Sequence, residues 1–211
     1  MPPELKEVHD SVWQEAVLLH LKWSIVLQLY GTQESVGLLN RSAPQFFAIG
    51  QVAWLQDIYL TFCRLTDPIQ VAGKSNLCLG RYVELIDAST HASLRQKVAD
   101  RVADLQTHCE FARDHRNRRI AHSDLLTKLG RHPKPLTPVT KAMIEEAFER
   151  MRVLINEVEA GYGVPTTLFG FEPAGDGTEL LLWLRHAEAL EAAERARDYA
   201  AFQPKAGLEK T

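Results

Sequence analysis

Cysteine is scarce in this chain of 211 residues, and its distribution excludes several kinds of site. The three cysteines, Cys63, Cys78 and Cys109, are odd in number and widely spaced, and no two of them form a CxxC pair. Such a pattern fits neither a disulfide framework nor a zinc module, and it is typical of a reducing cytoplasm. Because each cysteine has apolar neighbours, we expect all three thiols to be buried and unreactive.

Other signatures are missing as well. No glycine-rich segment has the lysine and the preceding strand of a phosphate-binding loop. No apolar run is long enough to span a bilayer, and the N-terminal sequence MPPELKEVHD lacks the basic and apolar regions of a signal peptide. We therefore expect a cytoplasmic protein that does not bind a membrane.

Net charge is also small. The chain has 24 lysines and arginines and 27 aspartates and glutamates, which gives a formal net charge of -3 and a pI near 6.2. A protein coated in positive charge is excluded, so any role with nucleic acid must rest on a local patch. The hydrophobic fraction of 45% and the charged fraction of 24% are those of an ordinary soluble globular protein.

Apolar residues recur at steps of three and four through most of the chain, which predicts helices and no convincing strand. A loop is expected at 32–41, and the helix at 44–66 is apolar on nearly all sides, which is typical of a bundle centre. Ser89 or Thr90 is expected to cap the fourth helix, and Ser123 or Asp124 the turn after the basic stretch. The predicted helices cover residues 5–30, 44–66, 77–86, 137–160 and 178–199. A further helix, the fourth in chain order, is predicted to begin near residue 90 and to run into a basic stretch that ends before residue 130.

The predicted fold is all-α, an up-and-down bundle of five to six helices. We expect the bundle to occupy residues 1–160 and to be followed by a loop at 161–177. A charged C-terminal helix at 178–200 and a disordered tail at 201–211 complete the predicted organisation.

Residues 109–126 hold most of the chemistry that the sequence offers. Arg113, Arg116, Arg118 and Arg119 make the stretch strongly basic at the end of the predicted fourth helix. One interpretation is a solvated face whose cations favour the negative end of the helix dipole, with a surface pair between Arg118 and Asp114. The other interpretation is a site that acts on phosphate.

Cleavage of RNA without a metal requires a group that moves protons near neutral pH and a fixed positive charge on the phosphate. Histidine, with an ordinary pKa of about 6.5, fits the first role. Arginine fits the second. Arg116, Asn117 and His122 supply these groups within two turns, but a spacing of six rotates Arg116 and His122 about 240° apart in a regular helix. The two converge only if the helix loosens near Ile120 or if two chains share the site.

The segment RNRRIAH at 116–122 resembles the R-x(4–6)-H signature of the HEPN superfamily. Together with LQDIYLTFCRLTDP at 55–68, it is similar to the AbiU-like branch, which is linked to phage abortive infection. The resemblance covers about residues 5–160. It implies a small helical bundle that acts as a metal-independent ribonuclease in phage defence or in a toxin–antitoxin system.

By this resemblance, Arg116 and His122 correspond to the catalytic pair and Asn117 to the polar residue that orients them. Family members typically pair as homodimers whose motifs face one cleft, and they need no metal or cofactor. The alternative is a non-catalytic module that binds a nucleotide or a partner protein, such as an antitoxin or a nucleotidyltransferase. A third alternative is a degenerate domain whose motif only stabilises the helix.

Arginines around the motif are candidate RNA contacts, namely Arg64, Arg113, Arg118 and Arg119. Arg64 lies on a polar line of the second helix, so the other interpretation is an internal salt bridge to Asp57 or Asp67. A metal site formed by His108, His115 and His122 is disfavoured, because a spacing of seven places the rings about 10 Å apart along the axis.

Overall fold

The computed structural model describes residues 1–121, 124–169 and 176–202, and these ranges are almost entirely helical. The predicted all-α fold is confirmed. A π-helical turn, the π turn, occupies Arg116–Ile120. The α-helices of the described ranges are α1 (Pro3–Tyr30), α2 (Gln33–Ser42), α3 (Pro44–Thr66), α4 (Gly80–Leu85), α5 (Ala92–His108), α6 (Glu110–His115), α7 (Leu125–Lys128), α8 (Lys141–Gly161) and α9 (Gly177–Phe202). None of them is long and apolar enough to cross a membrane.

A small hairpin follows α3. Its two-residue strands, β1 (Gln70–Val71) and β2 (Lys74–Ser75), are antiparallel. Ala72 and Gly73 between them have φ of 50° and 77°, and positive φ at both central positions is the geometry of a type I′ turn. The expectation of no strand is wrong here, because strands of two residues are too short to show an alternating pattern.

The chain divides into two compact units. The first comprises residues 1–24 and 52–171, and the second comprises residues 25–51 and 172–211. Helices α1 and α3 contribute residues to both. Most of the tail predicted at 201–211 lies outside the described residues, as does the middle of the loop predicted at 161–177.

Helices α1, α5 and α8 form the core of the first unit. The predicted apolar stripe of α8, from Ile144 to Val158, is buried along its whole length, and α8 packs against α5. Phe62 of α3 meets Phe148 of α8 edge to face, with ring centroids 4.9 Å apart. Burial of each such side chain stabilises the fold by about 1.5–3 kcal/mol.

A buried polar cluster lies within this core. Glu159 of α8 accepts hydrogen bonds from the backbone N–H of Thr167 at 2.7 Å and from its hydroxyl at 2.6 Å. The same hydroxyl accepts the indole N–H of Trp13 at 2.7 Å. His9 contacts Glu159 at 3.4 Å and the Tyr82 hydroxyl at 3.1 Å. The buried Glu159 carboxylate and His9 ring therefore have hydrogen-bonding or ionic partners, which offset the cost of removing them from water. The bond between Thr167 and Trp13 also holds the segment after α8 against α1.

The second unit has its own small core, formed by Leu29, Leu38, Leu39, Phe47 and Leu181. The loop predicted at 32–41 is wrong, because most of this stretch is α2. Thr32 caps α2 by accepting the N–H of Ser35 at 3.1 Å. The spacing from Ser35 to Leu38 and Leu39 is helical. The segment is only ten residues long and contains a glycine, however, so its pattern was too short to predict a helix.

The first half of α3 does not lie at a bundle centre, contrary to the prediction. Phe46 and Ile49 are each 71% exposed. Of the bulky residues at the start of α3, Phe47 is the one that joins the core of the second unit. An apolar composition on all sides therefore predicted burial correctly for the second half of α3, around Phe62, but not for the first half.

Helix boundaries also shift from the predicted ones. Helix α8 begins at Lys141, since Thr140 supplies the cap by accepting the N–H of Met143. Ser89 and Thr90 do not cap α5, because their hydroxyls donate to the carboxylate of Asp87. Asp124 does cap α7, with its carboxylate accepting the N–H of Thr127 at 2.6 Å, and Ser123 lies outside the described residues.

Candidate functional site

Helix α5 leads into the motif through a break at Cys109. The next turns are α6 and the π turn, in which the N–H of Ala121 donates to the carbonyl of Arg116 at 2.8 Å, five residues earlier. The helix thus loosens near Ile120, which is one of the two conditions under which Arg116 and His122 were expected to converge. His122, the third residue of the predicted site, lies outside the described residues.

Aromatic contacts fix α6 against α3. Phe111 is buried and meets Tyr59 edge to face at 5.7 Å, while His115 meets the same ring at 5.4 Å. Cys109, next to this contact, is fully buried, and burial raises the pKa of its thiol to about 12. All three cysteines are free and buried, as predicted.

Arg116 is clamped at the start of the π turn. Its Nη1 donates to both carboxylate oxygens of Asp67, at 3.0 and 2.9 Å, and its Nε donates to the side-chain carbonyl of Asn117 at 3.2 Å. The side chains of Arg116 and Asp67 are 26% and 22% exposed. Asp67 directly follows α3 in the sequence block LTDP, so the clamp joins the two blocks of the resemblance. The two N–H groups of Nη2 have no partner within the described ranges.

The other candidate arginines have different surroundings. Arg113 donates to the carbonyl and the hydroxyl of Thr66 at the end of α3, where a cation offsets the helix dipole. Arg118 makes the predicted ion pair with Asp114, at 3.2 Å, but the pair is not the surface pair that was expected, because the Arg118 side chain is only 11% exposed. Arg119 is exposed.

Arg64 is not part of an internal salt bridge, so that interpretation is wrong. Its side chain is 56% exposed and lies 3.3 Å from Glu15 of α1. Asp57 pairs instead with Lys22, and Asp67 with Arg116. Helical spacing places Arg64 near both aspartates, but it does not show that neighbouring elements supply other partners. Contact of Arg64 with RNA stays a prediction.

A cleft of about 550 Å³, the Asn117 cleft, borders the motif. Both signs of charge line it. Arg113 and Lys134 are basic, Glu110, Asp114 and Glu146 are acidic, and His108 and His115 add imidazole rings. Nothing in the sequence pattern predicts this cleft, because Lys134 and Thr137 of the proline-rich connector form one wall. Within the described ranges, no three His, Cys, Asp or Glu side chains are grouped so as to hold a metal ion.

Two buried or partly buried polar groups escaped the sequence-based prediction. The role of Asp67 as the partner of Arg116 was hidden, because 49 residues separate the two. His9 was not predicted as a buried polar residue, although it follows Leu5 by four residues on the apolar stripe of α1. Helical spacing could therefore have predicted the burial of His9, but it could not have predicted the ion pair between Arg116 and Asp67.

A known protein family matches most of the chain. The model of the AbiU2 family of HEPN proteins covers residues 2–172, which include α3, the clamp and the motif. No curated protein and no solved structure matches the chain. Since the family model covers most of the sequence, this chain belongs to the AbiU2 family of the HEPN superfamily and is an abortive-infection-related protein.

Proposed function

We propose that the protein is a metal-independent endoribonuclease that acts in phage defence or as the toxin of a toxin–antitoxin system. Family membership supports the proposal, and the observation that carries it is the clamp on Arg116. Asp67 and Asn117 occupy Nη1 and Nε, so the two N–H groups of Nη2 are held in a fixed direction. A fixed pair of charged donors is suited to phosphate.

In the proposed reaction, the ribose 2′-oxygen bonds to phosphorus while the bond from phosphorus to the 5′-oxygen breaks. The 2′-hydroxyl loses its proton, and the departing 5′-oxygen gains one. His122 transfers protons, because an imidazole of ordinary pKa both accepts and donates near neutral pH. Arg116 stabilises the charge on the phosphate, and Asn117 orients Arg116. The products are a 2′,3′-cyclic phosphate and a 5′-hydroxyl.

The active form in this proposal is a homodimer in which two motifs share one cleft. The exposed apolar residues Phe46 and Ile49, three residues apart on α3, support association of two chains. Neighbouring exposed apolar side chains are typical of protein–protein interaction surfaces. Light scattering after gel filtration should give the dimer mass for the wild type and the monomer mass for a double substitution of Phe46 and Ile49 by serine. A wild-type monomer at all concentrations would contradict this part.

Cleavage of RNA by the purified full chain in excess chelator tests the proposal. We expect His122→Ala and Arg116→Ala each to lower the rate by about 100-fold or more, the range of general acid–base and charge-stabilising groups. Matched controls are His186→Ala on α9 and Arg101→Ala on α5, both at exposed positions. Mutants that cut as fast as the wild type, or a silent wild type, would contradict the proposal.

A second candidate function is a non-catalytic module that binds a partner protein. Helix α9 favours it, because Leu182, Trp183 and Leu190 are 47%, 62% and 60% exposed on an otherwise charged helix. In this case the wild type is inert toward RNA and forms a defined complex with the product of an adjacent gene. Substitution of Trp183 by serine should then weaken that complex while Arg116→Ala leaves it intact.

A further inference from the structure

A second cavity, the basic cavity, lies in the first unit directly after the π turn and measures about 480 Å³. Arg119, Lys128 and His132 supply nitrogen groups to its lining, and Pro135 and Leu136 supply apolar surface. Neither the family match nor the proposed catalytic groups assigns it a role.

An ordered loop frames the basic cavity. Asp124 caps α7 through the N–H of Thr127, and Gly130, with φ of 66°, allows the chain to reverse. The N–H of His132 then donates to the carbonyl of Leu126 at 3.1 Å. These bonds hold Lys128 and His132 on the rim of the same cavity.

Arg118 fastens this loop to the motif. Its Nε donates to the Thr127 hydroxyl at 3.1 Å, its Nη2 to the Lys134 carbonyl at 2.7 Å, and its Nη1 to Asp114 at 3.2 Å. The side chain is only 11% exposed, and Asp114 offsets its charge. Arg118 is therefore a positioning residue for the cavity wall.

The remaining positive charge is not offset. Within the described ranges, the side chains of Arg119 and Lys128 make no ion pair and no hydrogen bond, and no acidic residue lines the cavity. The Asn117 cleft differs, because Glu110 and Glu146 stand among its cations. Asp124 lies close enough to interact with His132 and Arg118, but its carboxylate already accepts the N–H of Thr127. The charges of Arg119 and Lys128 therefore have no bonded acidic partner within the described ranges, which favours a polyanionic ligand.

We propose that the basic cavity binds a backbone phosphate of the RNA strand, adjacent to the phosphate held at Arg116. Arg119 and Lys128 contact the phosphate, and Pro135 and Leu136 contact the attached nucleoside. The volume lies within the range of small-ligand sites. Arg119 follows Arg116 by three residues in the same π turn, which keeps the cavity close in the chain to the proposed catalytic arginine. This inference rests on the proposed function, because RNA is its ligand.

Fluorescence anisotropy with a short fluorescein-labelled single-stranded RNA tests the assignment. The background is full-chain His122→Ala, so that the probe stays intact. Combined Arg119→Ala and Lys128→Ala should weaken binding and lower the slope of log affinity against log salt by about 0.7, the value for one lost phosphate contact on a single strand. Arg119→Lys with Lys128→Arg should restore both quantities. Arg131→Ala is the matched control, since Arg131 is exposed in the same loop but does not line the cavity.

Unchanged affinity and slope in the double variant, or an equal loss in Arg131→Ala, would overturn the assignment. Binding of a ribonucleoside 5′-monophosphate as tight as that of the RNA, and lost in the same variant, would also overturn it in favour of a nucleotide site. Cleavage assays on the same proteins separate the two proposals. An inert wild type with the expected binding loss refutes the nuclease alone, whereas an active wild type with unchanged binding refutes the cavity alone.

Discussion

Replacement of Asp67 by alanine should both destabilise the protein and impair its function. The change removes two charge-assisted hydrogen bonds from Arg116, at 3.0 and 2.9 Å, from a pair whose side chains are 26% and 22% exposed. Fully exposed pairs contribute up to about 1 kcal/mol, and breaking a buried pair costs about 3–5 kcal/mol. For this intermediate burial we expect a loss of about 2 kcal/mol in the free energy of unfolding.

A double-mutant cycle isolates the pair from other effects. Urea unfolding of wild type, Asp67→Ala, Arg116→Ala and the double variant should give a coupling energy of about 2 kcal/mol. The matched control is the pair of Asp57 on α3 with Lys22 on α1, at 2.6 Å but with side chains 43% and 30% exposed. For that pair we expect a coupling of less than about 1 kcal/mol.

Activity supplies the second measurement. With Asp67 absent, Arg116 keeps its charge but loses its orientation, so kcat should fall at least about tenfold without a shift in the pH profile. Asp67→Asn retains an acceptor and should lie between wild type and Asp67→Ala. Coupling energies that are equal for the two pairs, or unaltered cleavage by a folded Asp67→Ala, would refute the assignment of Asp67 as a positioning residue.

Further predictions concern the core and the surface. Glu159→Ala should lower Tm by about 6–12 °C, because loss of a buried acceptor costs about 3 kcal/mol; a Tm within a degree of the wild type would contradict the role of the cluster. Burial lowers the pKa of His20 from 6.5 to about 4. As the pH falls, His20 is therefore protonated in the unfolded chain before it is protonated in the folded one. Stability should therefore fall as pH drops from 6.5 toward 4, and His20→Gln should flatten that dependence in urea titrations at several pH values. All three thiols should resist Ellman's reagent in the folded protein and react in urea, since burial raises the pKa of Cys63, Cys78 and Cys109. Arg64→Ala should leave Tm within about 2 °C of the wild type, because its ion pair with Glu15 is exposed.

Periodicity was a reliable guide where one face of a helix packs against a core. The stripe on α8 and most of that on α1 are buried as the sequence predicts, because steps of three and four place those side chains on one side. The same reasoning failed for α3, since an apolar residue can lie on an unpacked face. Phe46 and Phe47 are adjacent and chemically identical, yet only Phe47 finds a core.

The candidate site was predictable in composition but not in geometry. Asn117 lines a cleft and Arg116 is held by Asp67, but neither Asp67 nor Lys134 is close to them in sequence. Partners brought together by tertiary contacts leave no local pattern. The basic cavity is a further case, because the loop that forms it depends on the hydrogen bonds of Arg118 to Thr127 and Lys134.

The π turn has a consequence for how the motif tolerates changes in length. A π turn holds one more residue between its hydrogen-bonded groups than an α turn does, here from Arg116 to Ala121. Deletion of one residue within 117–120 would convert it to an α turn while Asp124 and the loop beyond kept their place. We therefore expect a difference of one residue to be absorbed within this turn. This gives a physical account of a signature in which the number of residues between arginine and histidine varies.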